Sequence, residues 1–157
     1  MKKIWTLFLL GILFLSACGS ATEDASGVET HEPWARAAAQ GENGAVYLIL
    51  HNHTQQIDKL TGASTDAAES VEIHESKIDA NGVVTMEIHS SIPLAPDDEI
   101  EFKPGGLHFM LVKLKRELKV GDEITFTLHF KQHEDITLTV PVMDASQMGG
   151  AGMDTMP

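Results

Sequence analysis

Residues 123–131 read Glu123-Ile124-Thr125-Phe126-Thr127-Leu128-His129-Phe130-Lys131. Side chains two apart share one face of an extended strand. Ile124, Phe126, Leu128 and Phe130 therefore form an apolar face, and Thr125, Thr127, His129 and Lys131 a polar one. A helix would scatter the same four apolar groups over opposite sides. The alternation continues outward from this stretch. Downstream, Ile136, Leu138, Val140 and Val142 repeat it. Upstream, Leu107, Phe109 and Leu111 share a face within 107–114, and Val71 and Ile73 oppose Glu72 and His74 within 70–76. Residues 83–89 return after the turn signal Asp79-Ala80-Asn81-Gly82. Residues 45–52 form another strand, and 99–103 a short one before the Pro104-Gly105-Gly106 turn. Pro33, Pro93, Pro96 and Pro104 fall between these runs, as a sheet requires. No stretch keeps a 3.6-residue period, and 113–119 could hold a helical turn at most. About seven short strands separated by turns predict an all-β fold, an antiparallel β-sandwich with no internal repeat.

The chain has 157 residues, 43% of them hydrophobic, which suits one domain with a sizeable core. A formal charge of −12 and 6% aromatic residues argue against nucleic acid, which needs a basic surface or a stacking platform. A single cysteine excludes an internal disulfide and any Cys-pair zinc or redox motif. That cysteine has a specific context. Met1-Lys2-Lys3 is a basic start, and the apolar run from Ile4 to Leu15 falls short of the roughly 20 residues that span a bilayer. Residues 1–17 read as a signal peptide. Leu15-Ser16-Ala17-Cys18 resembles the bacterial lipobox, whose cysteine becomes the lipidated first residue of the mature protein. Several acyl chains on one residue make a stable anchor. Cys18 is thus the expected lipidation site, and the expected location is extracytoplasmic, on the periplasmic or outer cell face of a bacterial membrane. Residues 18–31 read as a flexible acidic tether, 32–143 as the folded domain, and 144–157 as a flexible Met-rich tail.

His108-Phe109-Met110 carries the chemistry. On a strand the imidazole and thioether emerge side by side while Phe109 faces the core. That pair suits a soft ion, since thioethers favour Cu(I). Eleven residues separate His74 from Met86, and twenty-one separate Met86 from His108. With this spacing the chain resembles the PCuAC family of extracytoplasmic copper chaperones. Glu75 stands where some members have an additional Met. Further blocks carry the likeness: Trp34-Ala35-Arg36, Gly44-Ala45-Val46-Tyr47, Asp58-Lys59-Leu60, residues 71–75, residues 104–111 and Leu118-Lys119-Val120-Gly121-Asp122.

The resemblance implies a cupredoxin-like β-sandwich and a Cu(I) site of His74, Met86, His108 and Met110. It further implies delivery of copper to the Cu(A) site of cytochrome c oxidase subunit II, directly or together with a Sco-type thiol protein. Two imidazoles and two thioethers are neutral, so they hold a monovalent ion without the grip of thiolates, and thioethers do not form disulfides outside the cell. Strict alternation gives Met86 the same face as Val84 and Ile88. Its side chain is therefore either a core residue or, with a bulge near Thr85 or a site at the sandwich edge, a ligand.

His31, His53, His89, His129 and His133 read as ordinary surface residues. His51-Asn52-His53 has the letters of a nuclease motif without its surroundings. Met148, Met153 and Met156 in the tail are candidate accessory copper ligands, whereas Met143 reads as packing under the last strand. No catalytic constellation can be assembled, so a non-enzymatic role is expected. Rival readings are a copper-buffering lipoprotein without a client and a metal-free β-sandwich interaction lipoprotein. A blue-copper electron carrier would need a Cys thiolate, and Cys18 is committed to the anchor.

Overall fold

A computed structural model describes residues 27–79 and 82–144. Ten strands lie within them: β1 (Val28–Arg36), β2 (Gly44–Asn52), β3 (Asp58–Thr65), β4 (Ala68–Ile78), β5 (Val84–His89), β6 (Ile92–Leu94), β7 (Glu99–Phe102), β8 (Leu107–Leu114), β9 (Glu123–Phe130) and β10 (Ile136–Met143). No helix occurs among the described residues, so the expected all-β architecture holds and the 113–119 segment is not helical.

The strands form two layers. One runs β5-β4-β8-β2-β1, with β7 pairing the far half of β2, and the other runs β10-β9-β3-β6. All pairings are antiparallel except β1 with β10, which joins the layers side by side. Alternation decides what lies between them. Val46, Leu48 and Leu50 of β2, Ile73 of β4, and Phe109 and Leu111 of β8 pack on Ile124, Phe126 and Leu128 of β9. Phe109 sits at the centre, stacked on Phe102 at 4.3 Å and edge-on to Phe126 at 5.2 Å between ring centroids.

The strands expected from alternation are present, and three unanticipated ones join them: β1, β3 and β6. Val28 to His31, assigned above to the tether, form the first turns of ladder in β1 instead, hydrogen-bonded in register with β2. The folded domain therefore begins four residues before Glu32. Pro33 and Pro93 also lie inside strands rather than between them. Both positions tolerate a missing N–H: Pro33 falls in a bulge of β1, and Pro93 in β6 at the end of its layer. The expected signal peptide, Cys18, the start of the tether and residues 145–157 of the tail lie outside the described residues.

Candidate functional site

The outer face of the first layer, turned away from the core, gathers the residues singled out in the sequence. His74 of β4 and His108 of β8 are directly opposite one another in the antiparallel register. Opposed residues point to the same face, and the two imidazoles meet edge-to-face with centroids 5.9 Å apart. Both are buried, with 9% and 6% of their surface exposed. Met110 lies two residues along β8 on the same face and is half-buried. Met86 of the edge strand β5 pairs with Ser76 of β4, two residues beyond His74, which puts it on that face too. A hollow of about 300 Å³ is lined by Arg36, Tyr47, Ser76, Met86, His108 and Met110, so three of the four expected ligands share one cavity wall. His74 stands beside it, opposite His108.

Met86 is not a core residue. Its face partners Val84 and Ile88 are exposed as well, and Met86 itself is 57% exposed. The pairing of β5 with β4 runs in unbroken register from Ile73–His89 to Ile78–Val84, so no bulge is needed. The strand is simply at the sheet edge, where both faces meet solvent.

Hydrogen bonds fix the imidazole tautomers. His74 Nε2 lies 2.7 Å from the Glu72 carboxylate, which can only accept, so Nε2 carries the proton. Nδ1 then holds the lone pair, and it is buried without a hydrogen-bond partner. In His108 the order is reversed: Nδ1–H donates to the Gly106 carbonyl at 2.9 Å, leaving the lone pair on Nε2. Each ring thus has one nitrogen tied back and the other prepared as a donor to an electrophile, the arrangement seen around metal-bound histidines. The Glu72 contact was missed in the sequence, although period two already placed Glu72 on the face of His74. Nothing local in the sequence points to Gly106, because its role is played by a backbone carbonyl.

An aromatic wall flanks the site. Tyr47 lies 6.4 Å from His108 and 4.5 Å from Trp34, and Met143, rather than packing under the last strand, ends β10 and packs against this cluster. Burial pushes the Tyr47 phenol above its ordinary pKa, partly offset by the nearby Arg36 guanidinium. The one-residue bulge between His31 and Trp34 brings Trp34 onto this outer face beside Tyr47.

Two other groups of histidines and carboxylates occur among the described residues. Glu75, Glu87 and His89 converge on the opposite face of β4 and β5, but a cation already sits among them. Lys77 Nζ is 2.8 Å from Glu87 and 3.2 Å from Glu75. Its hydrogen bonds hold both carboxyls below their usual range, His89 assisting at Glu75, and raise the ammonium above its own. Glu29, His31 and His53 form the second group, at the far end of β1 and β2 on the outer face of the first layer.

Comparison with known proteins yields three kinds of relative. Residues 28–142 match the model of the family described as "Putative lipoprotein LpqE-like". "Putative lipoprotein Lxx21020" of Leifsonia xyli subsp. xyli is 33% identical over 125 residues, 79% of this chain and 74% of that one. RP573 of Rickettsia prowazekii is 30% identical over 71% of this chain and 64% of its own length. Among solved structures, the copper-bound PCuAC domain from PmoF2 aligns with a TM-score of 0.63 at 27% identity, covering 76% of this chain and 94% of that domain. The solution structure of CuI-DR1885 from Deinococcus radiodurans aligns at 0.56 and 25% identity, covering 80% and 86%. The fold is the cupredoxin-like β-sandwich of these PCuAC domains.

Proposed function

The chain belongs to the LpqE-like lipoprotein family, and from that premise we propose that it is a membrane-anchored extracytoplasmic Cu(I) carrier. One observation carries the proposal: two buried imidazoles face each other, each with one nitrogen fixed by an acceptor and the other presenting its lone pair. An unsatisfied buried nitrogen costs stability unless something pairs with it. A metal ion is the natural partner here. With nitrogen–metal distances of about 2.0–2.1 Å and a ring radius of about 1.2 Å, two imidazoles on one ion have centroids roughly 5–6.5 Å apart. The pair in this chain, at 5.9 Å, fits that range.

The proposed donors are His74 Nδ1, His108 Nε2 and the Met110 and Met86 thioethers. The set is soft and neutral, which suits Cu(I) over Zn(II). The solved neighbours described as copper-bound and Cu(I)-bound support the same cargo. Met86 on the exposed edge is the donor a recipient could displace first, so copper would leave by that side. Binding and release need no bond chemistry, and the role proposed is transport without catalysis. Cys18 supplies the lipid anchor. Met148, Met153 and Met156 would provide weaker accessory sites. The proposed recipient is the Cu(A) site of cytochrome c oxidase subunit II, reached directly or through a Sco-type thiol protein.

The test is anaerobic Cu(I) titration of the full chain in detergent against a chromophoric chelator. Wild type should hold about one tight ion, and His108→Ala and Met110→Ala should each lose it. Unchanged affinity in both variants overturns the site. Loss of Cu(A) from oxidase in copper-limited cells lacking the protein tests the recipient, and full Cu(A) content there overturns it.

A further inference from the structure

Glu29 and His31 are two apart on β1, and Glu29 pairs directly with His51 of β2. His53 continues that line, its N–H bonded at 3.0 Å to the carbonyl of Gly27, the residue just before β1. All four side chains therefore emerge on one face of the layer. Their spacing is unlike that of the other histidine–carboxylate contacts. His74–Glu72, His89–Glu75 and His129–Asp135 close to 2.7, 2.9 and 2.8 Å. By contrast, His31 Nε2 and His53 Nε2 both stand off a single oxygen of Glu29, at 3.6 and 3.4 Å. Those distances are too long for well-formed hydrogen bonds. They match the separation of neighbouring ligand atoms around one metal ion. With bonds of about 2.0–2.2 Å and tetrahedral angles, that separation is roughly 3.3–3.6 Å.

We propose that Glu29, His31 and His53 form a second metal site, which takes a borderline divalent cation, Cu(II) most tightly and Zn(II) next. Two imidazoles and a carboxylate are harder than the His/Met set and carry one negative charge, so the site selects a divalent ion over Cu(I). The three ligand atoms lie within 4.8 Å of one another, and small side-chain rotations close them on an ion. His53 and Glu29 are half-buried. The His51 ring lies against His53, tilted by 39° with centroids 3.7 Å apart, and limits its rotation. Among the described residues no lysine or arginine forms an ion pair with Glu29, in contrast to the Lys77-filled cluster. The proposal does not depend on the Cu(I) reading, because the two ligand sets share no residue.

The experiment is Cu(II) binding to the full chain in detergent, followed by electron paramagnetic resonance and chelator competition. It is run in the His108→Ala/Met110→Ala background, which removes the other proposed site. That protein should still bind Cu(II) with hyperfine structure from two imidazole nitrogens. His31→Ala, His53→Ala and Glu29→Gln should each weaken binding by about 100-fold, the upper end of what even an outer-shell partner costs. His129→Ala, at a closed His–Asp pair, should leave it unchanged. Cu(II) affinity that survives His31→Ala and His53→Ala overturns the site, as does an imidazole-free spectrum. Circular dichroism of each variant separates ligand loss from misfolding.

Discussion

At the residue level, the Glu72–His74 contact orders the proposed copper site. Two imidazoles become donors on opposite nitrogens because their partners differ: a carboxylate takes the Nε2 proton of His74, and a backbone carbonyl takes the Nδ1 proton of His108. The carbonyl cannot be mutated away, but the carboxylate can. Glu72→Gln keeps the side-chain length while allowing the amide to donate as well as accept, so the His74 tautomer is no longer dictated. Outer-shell changes of this kind cost about 10–100-fold in metal affinity. Cu(I) affinity measured by chelator competition should fall within that range in Glu72→Gln, with thermal stability little changed. An affinity equal to wild type would show that His74 is not oriented by Glu72. The Glu75–Lys77–Glu87 group shows the opposite outcome of similar chemistry, since an ammonium already neutralises those carboxylates and leaves no vacancy for an ion.

At the level of elements, β3 shows how a strand can form without an alternating sequence. Asp58-Lys59-Leu60-Thr61-Gly62-Ala63 has one large apolar residue. It is held instead by pairing with β9 and by buried Asp58. Burial alone would raise the Asp58 pKa, but hydrogen bonds from the backbone N–H groups of Lys59, His133 and Gln132 bring it below its ordinary value. A carboxyl depressed by folding stabilises the native state at pH above its unfolded pKa of about 3.9. That contribution is lost as pH falls through the lower folded value. Urea unfolding should therefore show wild type losing more stability between pH 6 and pH 3 than Asp58→Ala, which should start about 1–3 kcal/mol lower at pH 6. Parallel pH curves would remove Asp58 from this role. The same physics marks what could be read in advance. β9 and the end of β10 bury every second side chain, and β4 and β8 alternate apolar core-facing residues with others, so their faces, including the shared face of His108 and Met110, were legible from period two alone. Val28-Glu29-Thr30-His31 resembles a tether, and becomes a strand only because β2 offers it a partner. Ile92-Pro93-Leu94 is too short to show a period. The cross-strand meeting of His74 with His108 is a matter of register, which hydrophobic pattern constrains only to a choice of face.

Across the whole molecule, stability and cargo are linked through the outer part of one layer. The core cluster lies beneath β2, β8 and β9, while β5 pairs only with β4 and leaves Val84, Met86 and Ile88 exposed. Edge elements with few buried contacts open at lower free energy than the core. The proposed ligands belong to β4, β5 and β8, so Cu(I) would cross-link this weak edge to the strand that Phe109 anchors. A ligand that binds only the native state adds RT ln(1 + [L]/Kd), about 2.7 kcal/mol at a hundredfold excess over Kd. Loading with Cu(I) under anaerobic conditions should raise the melting temperature, and a competing chelator should return it to the apo value. Amide exchange should slow most in residues 84–89 and least in β9, whose Ile124, Phe126 and Leu128 lie in the core. His108→Ala should melt at the same temperature with and without Cu(I). A wild-type melting temperature indifferent to Cu(I) would mean that the ion does not bind the native sandwich. A general stabilisation with no added protection in β5 would exclude Met86 from the ligand set while leaving His74, His108 and Met110 in place.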